Sequence, residues 1–147
     1  MSEEQKYDRP VPVPDEMTAG FWEAVGRHEL AFQRCEHCGT YAHPPVSFCA
    51  GCHDLEHPAF SFEKVTGRGT IVNWTVITDQ MVSGFIGADP IVHVLVRFDE
   101  QEDLLFPATL IGDTSGLALG APVETVIRDV APGVSLPYFQ LAVPMSS

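Results

Sequence analysis

Two Cys-x-x-Cys pairs, Cys35/Cys38 and Cys49/Cys52, stand ten residues apart and hold all four cysteines of the chain. Pairs at this spacing set four soft thiolates around one tetrahedral ion, and thiolate softness favours zinc. A shell closed by four thiolates leaves no position for substrate, so such an ion is structural. The segment between the pairs is too short to bury a core of its own, and the metal takes that place. A redox Cys-x-x-Cys needs a pair at a helix N-terminus, whereas these pairs lie among Gly39, Pro44, Pro45 and Gly51, a loop-like setting. His37, His43, His53 and His57 crowd the same stretch. With four thiolates at hand they read as exposed or outer imidazoles rather than ligands. The expected cofactor is one structural Zn2+ per chain on Cys35, Cys38, Cys49 and Cys52, in a ribbon that accepts iron as well.

Twenty Asp and Glu against eight Lys and Arg give a formal net charge of -12 over 147 residues. Four thiolates and one Zn2+ lower it by a further two units. Such a field repels phosphate polymers, whose binding depends on clustered Lys and Arg, so nucleic acid is not an expected partner. The opening MSEEQKYDRPVPVPDE carries no apolar run, and no stretch approaches the roughly 20 apolar residues of a membrane span. A soluble, cytoplasmic protein without a secretory signal is expected.

Residues 1–29 read as a proline-punctuated arm (Pro10, Pro12, Pro14) and a short helix capped by Thr18, with Phe21, Trp22 and Val25 on one face. Too short to be stable alone, the helix docks either on its own domain or, through Phe21 and Trp22, on a partner. Residues 30–59 form the zinc ribbon, entered by a strand at 30–34. From residue 60 to 147 the chain turns to short segments rich in Val, Ile, Thr and aromatics: 61–66, 69–78, 91–98, 104–111, 122–130 and 138–143. Within 91–98, Val92, Val94, Val96 and Phe98 alternate with Ile91, His93, Leu95 and Arg97, and the first set is expected to face the core. Five or six strands without a helical period between them predict a mainly β chain whose second part is an antiparallel OB-type barrel ending in a C-terminal tail. The acidic run 99–103 reads as a solvated hairpin turn.

The run Cys35-Glu-His-Cys38-Gly39, His43-Pro44-Pro45, Cys49-Ala-Gly-Cys52 and then Gly67-x-Gly69-x-x-Val72 resembles the DUF35 family, a rubredoxin-like zinc ribbon preceding an OB-fold. The resemblance continues through Gly84-Phe85, Asp89-Pro90, Leu119-Gly120-x-Pro122-Val123-Glu124 and Leu136-Pro137-x-Phe139, from about residue 12 to about 143. The family commonly has Pro-Pro-Arg where this chain has Pro44-Pro45-Val46, and Cys-Pro-x-Cys where it has Cys49-Ala50-Gly51-Cys52; neither change removes a ligand, but a fixed positive charge is lost. What the resemblance implies is a non-catalytic accessory subunit of a thiolase-like (sterol-carrier-protein-type thiolase) enzyme handling acyl-CoA thioesters. Relatives of this kind serve acyltransferase complexes and aldolases that remove side chains from steroid-CoA intermediates.

The residues themselves offer no catalytic set: no Gly-x-Ser-x-Gly, no nucleophile placed with His and carboxylate, no phosphate-cradling glycine loop. His93 reads as a packed or surface side chain. Between two strands, residues 79–90 are unusually apolar for a loop. Met81, Val82, Phe85 and Ile86 either fold onto the barrel mouth or cover part of an acyl-CoA path shared with the partner. Lys64, Arg68, Arg97 and Arg128 are the cations available for CoA phosphates. The expected function is that of an accessory, acyl-CoA-binding subunit of a retro-aldol lyase acting on a steroid-CoA type intermediate. The alternatives are the same role beside a C-C bond-forming acyltransferase, and an OB-fold nucleic-acid binder.

Overall fold

The computed structural model describes residues 9–52, 55–78, 84 and 89–142. Within them α1 spans Ala19–Gly26 and eight strands follow: β1 Ala31–Cys35, β2 Tyr41–Ala42, β3 Phe60–Lys64, β4 Arg68–Ile77, β5 Ile91–Phe98, β6 Leu105–Leu110, β7 Pro122–Ala131 and β8 Val134–Leu141. Among the described residues no helix is long and apolar enough to cross a membrane.

Five strands close a barrel in the order β4-β5-β6-β8-β7, the order of an OB-fold. Every ladder is antiparallel except β6 to β8, which is parallel and limited to Leu110 opposite Phe139. Chain chemistry explains that short contact. Ile111 donates its N–H to the Phe139 carbonyl at 2.8 Å, and alternate residues of a strand share an edge. Pro107 and Pro137 therefore fall on the two facing edges, where neither has an N–H to extend the ladder. Alternation along β5 is as expected: Val94, Val96 and Phe98 are buried, Val92 half-buried, and His93 and Arg97 exposed. Gly69 of β4 has no room for a side chain, because a Cβ there would collide with the Arg97 carbonyl.

The remaining strands form a sheet ordered β2-β1-β3. This corrects the boundary expected at residue 60. Residues 60–64 have the composition of a barrel strand, but they pair residue for residue with β1, from Ala31 opposite Lys64 to Cys35 opposite Phe60. Alternation specifies a strand and its buried face; it does not specify which edge the strand joins. The barrel begins instead at β4.

Ribbon and barrel share one core. Phe32 of β1, with no exposed surface, lies 5.1 Å from Phe98 and 5.7 Å from Phe106, ring centre to ring centre. Phe21 of α1 stacks at 5.9 Å on Phe32 and 5.7 Å on Phe106. The helix entry also differs from expectation. Thr18 makes no side-chain cap and is already helical in its backbone; the Asp15 carboxylate accepts from the Thr18 N–H at 2.9 Å and does the capping. That bond is the first cause of the lowered Asp15 pKa.

The acidic turn after β5 is more than solvated surface. Gln101 accepts from the Tyr41 N–H at 2.8 Å and donates to the Tyr41 carbonyl at 2.9 Å, so its amide pairs with β2 as a strand would. Glu100 accepts from the Thr66 N–H at 2.7 Å. Both tie the barrel's hairpin to the ribbon.

Candidate metal centre and adjoining clefts

β1 delivers Cys35 at its last position, and the chain then turns sharply. Gly39 donates to the Cys35 carbonyl and Cys35 to the Thr40 carbonyl, each at 2.9 Å. Gly39 sits at φ +81°, in the left-handed region where a side chain is strained. The second pair closes more loosely, with the Gly51 N–H directed at the Cys49 sulfur at 3.3 Å. A Cβ on Gly51 would stand 2.5 Å from the Thr40 hydroxyl and 3.4 Å from the Cys38 sulfur, so the two knuckles approach closely because this position is glycine.

The four sulfurs lie within 4.8 Å of one another. Cys35 to Cys52 is 3.7 Å and Cys38 to Cys49 is 3.5 Å. A tetrahedron with zinc–sulfur bonds of about 2.3 Å requires sulfurs about 3.8 Å apart, so the arrangement fits one metal ion. Cys35 and Cys49 are buried, Cys38 and Cys52 exposed. The Thr40 hydroxyl, 3.1 Å from the Cys38 sulfur, together with its backbone N–H, lowers the Cys38 thiol to about 6 and favours the thiolate a metal needs. These are the residues of a structural zinc site, one ion per chain.

None of the described histidines enters the shell. The His37 ring meets the His57 carbonyl at 2.6 Å. His43 lies in the aromatic core, 5.1 Å from Phe32 and 4.9 Å from Phe106, and burial depresses its pKa to about 4. His53 lies outside the described residues. Behind the knuckles, Gln33 is buried and brackets Val46, donating to its carbonyl at 2.9 Å and accepting from its N–H at 2.8 Å. Sequence reading passed over Gln33, Gln101 and Thr40. A buried glutamine between Phe32 and Arg34 was the available signal, since an amide on the inward face demands partners.

Met81, Val82, Phe85 and Ile86 lie outside the described residues; beside them, Arg9 donates to the Gly84 carbonyl at 3.0 Å. Of the helix pair, Phe21 is buried by contacts within its own chain, the first of the two dockings open to the helix, and Trp22, half-buried, keeps surface. The four cations do not form one cluster. Arg68 and Arg97 share the outer barrel face near the ribbon, and Lys64 approaches Glu29 at 4.0 Å. Arg128 is four residues along β7 from Glu124, the partner of Arg68, or about 13 Å at strand rise. Trp22 lines two clefts, of about 360 and 390 Å³.

A four-thiolate ribbon fused through a common core to an OB barrel is therefore the class of protein that fold and site define. Comparison with known proteins gives the kind within that class. Residues 22–57 match the ChsH2 rubredoxin-like zinc ribbon domain, and the resemblance to DUF35 proteins extends over ribbon and barrel alike. Over 137 residues the chain is 28% identical to a probable enoyl-CoA hydratase alpha subunit of Thermomonospora curvata, covering 92% of this chain and 41% of that protein. Over 113 residues it is 34% identical to a 3-oxo-4,17-pregnadiene-20-carboxyl-CoA hydratase alpha subunit of Mycobacterium tuberculosis, covering 76% and 34%. The chain thus spans less than half the length of these curated relatives. Among solved structures it resembles the Ltp2-ChsH2(DUF35) aldolase with a TM-score of 0.76 and 26% identity, over 90% of this chain and 99% of that one. A DUF35 protein of unknown function from Sulfolobus solfataricus shares the fold, with a TM-score of 0.53, 17% identity and coverage of 83% and 82%.

Proposed function

We propose that this chain is the accessory subunit of a thiolase-like lyase that removes a side chain from a steroid-CoA type intermediate by retro-aldol cleavage. The observation that carries this reading is the similarity, over 99% of the other chain, to the Ltp2-ChsH2(DUF35) aldolase. The named substrate of the pregnadiene-carboxyl-CoA hydratase relative supports the steroid class. In a retro-aldol step a base takes the hydroxyl proton, the carbon–carbon bond breaks, and the thioester enolate is protonated. Such a step needs an acid and a base held against the substrate; here the thiolates face one another, and His43 is held neutral in the core. Those groups, and most contacts to the CoA phosphates, belong to the thiolase-like partner in this reading, as an acidic chain with dispersed cations requires. The segment 79–90 then covers part of the acyl-CoA path.

Co-expression with a thiolase-like subunit from the same host, followed by native mass spectrometry and a cleavage assay on a β-hydroxyacyl steroid-CoA, tests the proposal. A stable complex that cleaves, with neither chain active alone, is the expected result. Met81→Asp combined with Phe85→Asp should abolish cleavage while zinc content and thermal stability stay unchanged. Complex formation with condensation instead of cleavage would assign the chain to an acyltransferase. Salt-dependent oligonucleotide binding without any complex would overturn the reading.

A further inference from the structure

The two clefts that share Trp22 adjoin along one side of the molecule. One takes its walls from the outer faces of β5, β6 and β8, through His93, Thr109 and Leu136, with Pro10 of the arm opposite. The other continues past Trp22 between Pro12 and Pro14 and the start of β8 at Val134. Each volume, about 360 and 390 Å³, falls within the usual range for small-molecule sites. Together they make a trough roofed by a proline-stiffened arm and floored by an indole.

Its lining is unusual for this molecule. Among the described residues no Asp or Glu lines the first cleft, and one, Glu23, lines the second. The cation present, Arg9, is engaged with the Gly84 carbonyl. A lining whose described residues carry a single carboxylate, on so acidic a chain, suits an uncharged ligand, and a flat indole wall suits a flat one. Among the polar groups of the lining, which also include Tyr138 and Ser135, His93 and Thr109 are adjacent on paired strands and offer a hydrogen bond, as orientation of a ketone requires.

We infer that this trough holds the uncharged, fused-ring acyl part of the thioester, while the anionic CoA portion stays outside on the partner. The inference rests on the proposed function for the ring system, the thioester and the partner, and on the cleft itself for a flat, uncharged ligand. It assigns the apolar end of the substrate to this chain, and gives the arm and Trp22 a role in recognising it.

The probe is progesterone, a neutral 3-oxo-4-ene steroid without CoA, titrated into the full zinc-loaded chain carrying Trp74→Phe, so that Trp22 is the sole tryptophan. Saturable quenching of Trp22 emission is expected, with no response to CoA alone at equal concentration. Leu136→Glu should weaken binding at least tenfold, and Thr109→Phe, which fills the trough from the other wall, should do the same; zinc content and melting temperature confirm that both fold. No saturation up to the solubility limit overturns the inference. Equal affinity in both variants also overturns it, because the steroid then binds elsewhere. Steroid binding without any partner complex would sink the proposed function alone, and a cleaving complex whose Trp22 ignores progesterone would sink this inference alone.

Discussion

The ribbon and the barrel solve the same problem by opposite means. The barrel buries Ile71, Val94, Val96, Phe98, Val123 and Phe139 within a closed ladder, so its shape follows from apolar alternation. The ribbon has a two-residue strand, two five-residue strands and two turns, and it holds together through four sulfurs and the side-chain amide of Gln33. One region is specified by pattern and the other by chemistry at fixed spacing. What joins them is neither, but an aromatic cluster drawn from both sides, with Phe32 at its centre. The comparison therefore predicts that the metal supports the barrel as well as the ribbon.

Metal removal should show the largest effect. Cys49→Ser, or exhaustive chelation, leaves β1 without its anchor, and β1 carries Phe32 into the barrel core. Loss of several kcal/mol is expected, a large share of a domain's usual stability. Thermal unfolding followed by Trp74 in the barrel and by far-ultraviolet dichroism should shift together. A barrel that melts at its original temperature in the metal-free protein would show the two regions to be independent. Phe32→Ala comes next, at about 3–5 kcal/mol for a fully buried aromatic. It too should lower a single transition with zinc still bound, which separates packing from metal.

The same contrast explains what could be read from the sequence. The cysteine set follows from spacing alone, because tetrahedral chemistry leaves few alternatives for two such pairs. The strand 91–98 was legible to the residue, since its alternation is unbroken and its ends are marked by Pro90 and Asp99. The allegiance of 60–64 was not, because pairing partners are long-range choices that a local period does not encode. Asp15 and Thr18 both have capping side chains, and which one caps depends on where the backbone first turns helical. Gln101 looked like part of a charged turn; its role appears only when the fold brings β2 alongside.

His43 sharpens the comparison at a point where ribbon and barrel touch. Its pKa is depressed by burial from 6.5 to about 4. Between those values the unfolded chain binds more protons than the folded one, so stability is fully present above pH 6.5 and falls as pH drops towards 4. The contribution is on the order of 2 kcal/mol once partial solvent exposure is allowed for. His43→Leu should flatten this part of the pH profile. Because thiolate protonation also destabilises the metal site over the same range, the difference between wild type and variant isolates the histidine. Parallel profiles would place the whole acid response in the cysteines.

The smallest effect tests the seam between the regions. Gln101 spends its amide on both backbone groups of Tyr41, and Glu100 holds Thr66. In Gln101→Leu the strand β2 loses its outer pairing, and its N–H and carbonyl must find water. A cost of about 1–2 kcal/mol follows from two lost neutral hydrogen bonds at a half-buried site. Hydrogen exchange can localise it: the Tyr41 amide should exchange faster by roughly ten- to thirtyfold, while amides of β5 and β7 keep their protection. If β5 loosens equally, the clamp stabilises the hairpin itself rather than the contact with the ribbon, and the aromatic cluster alone carries the coupling between the two halves.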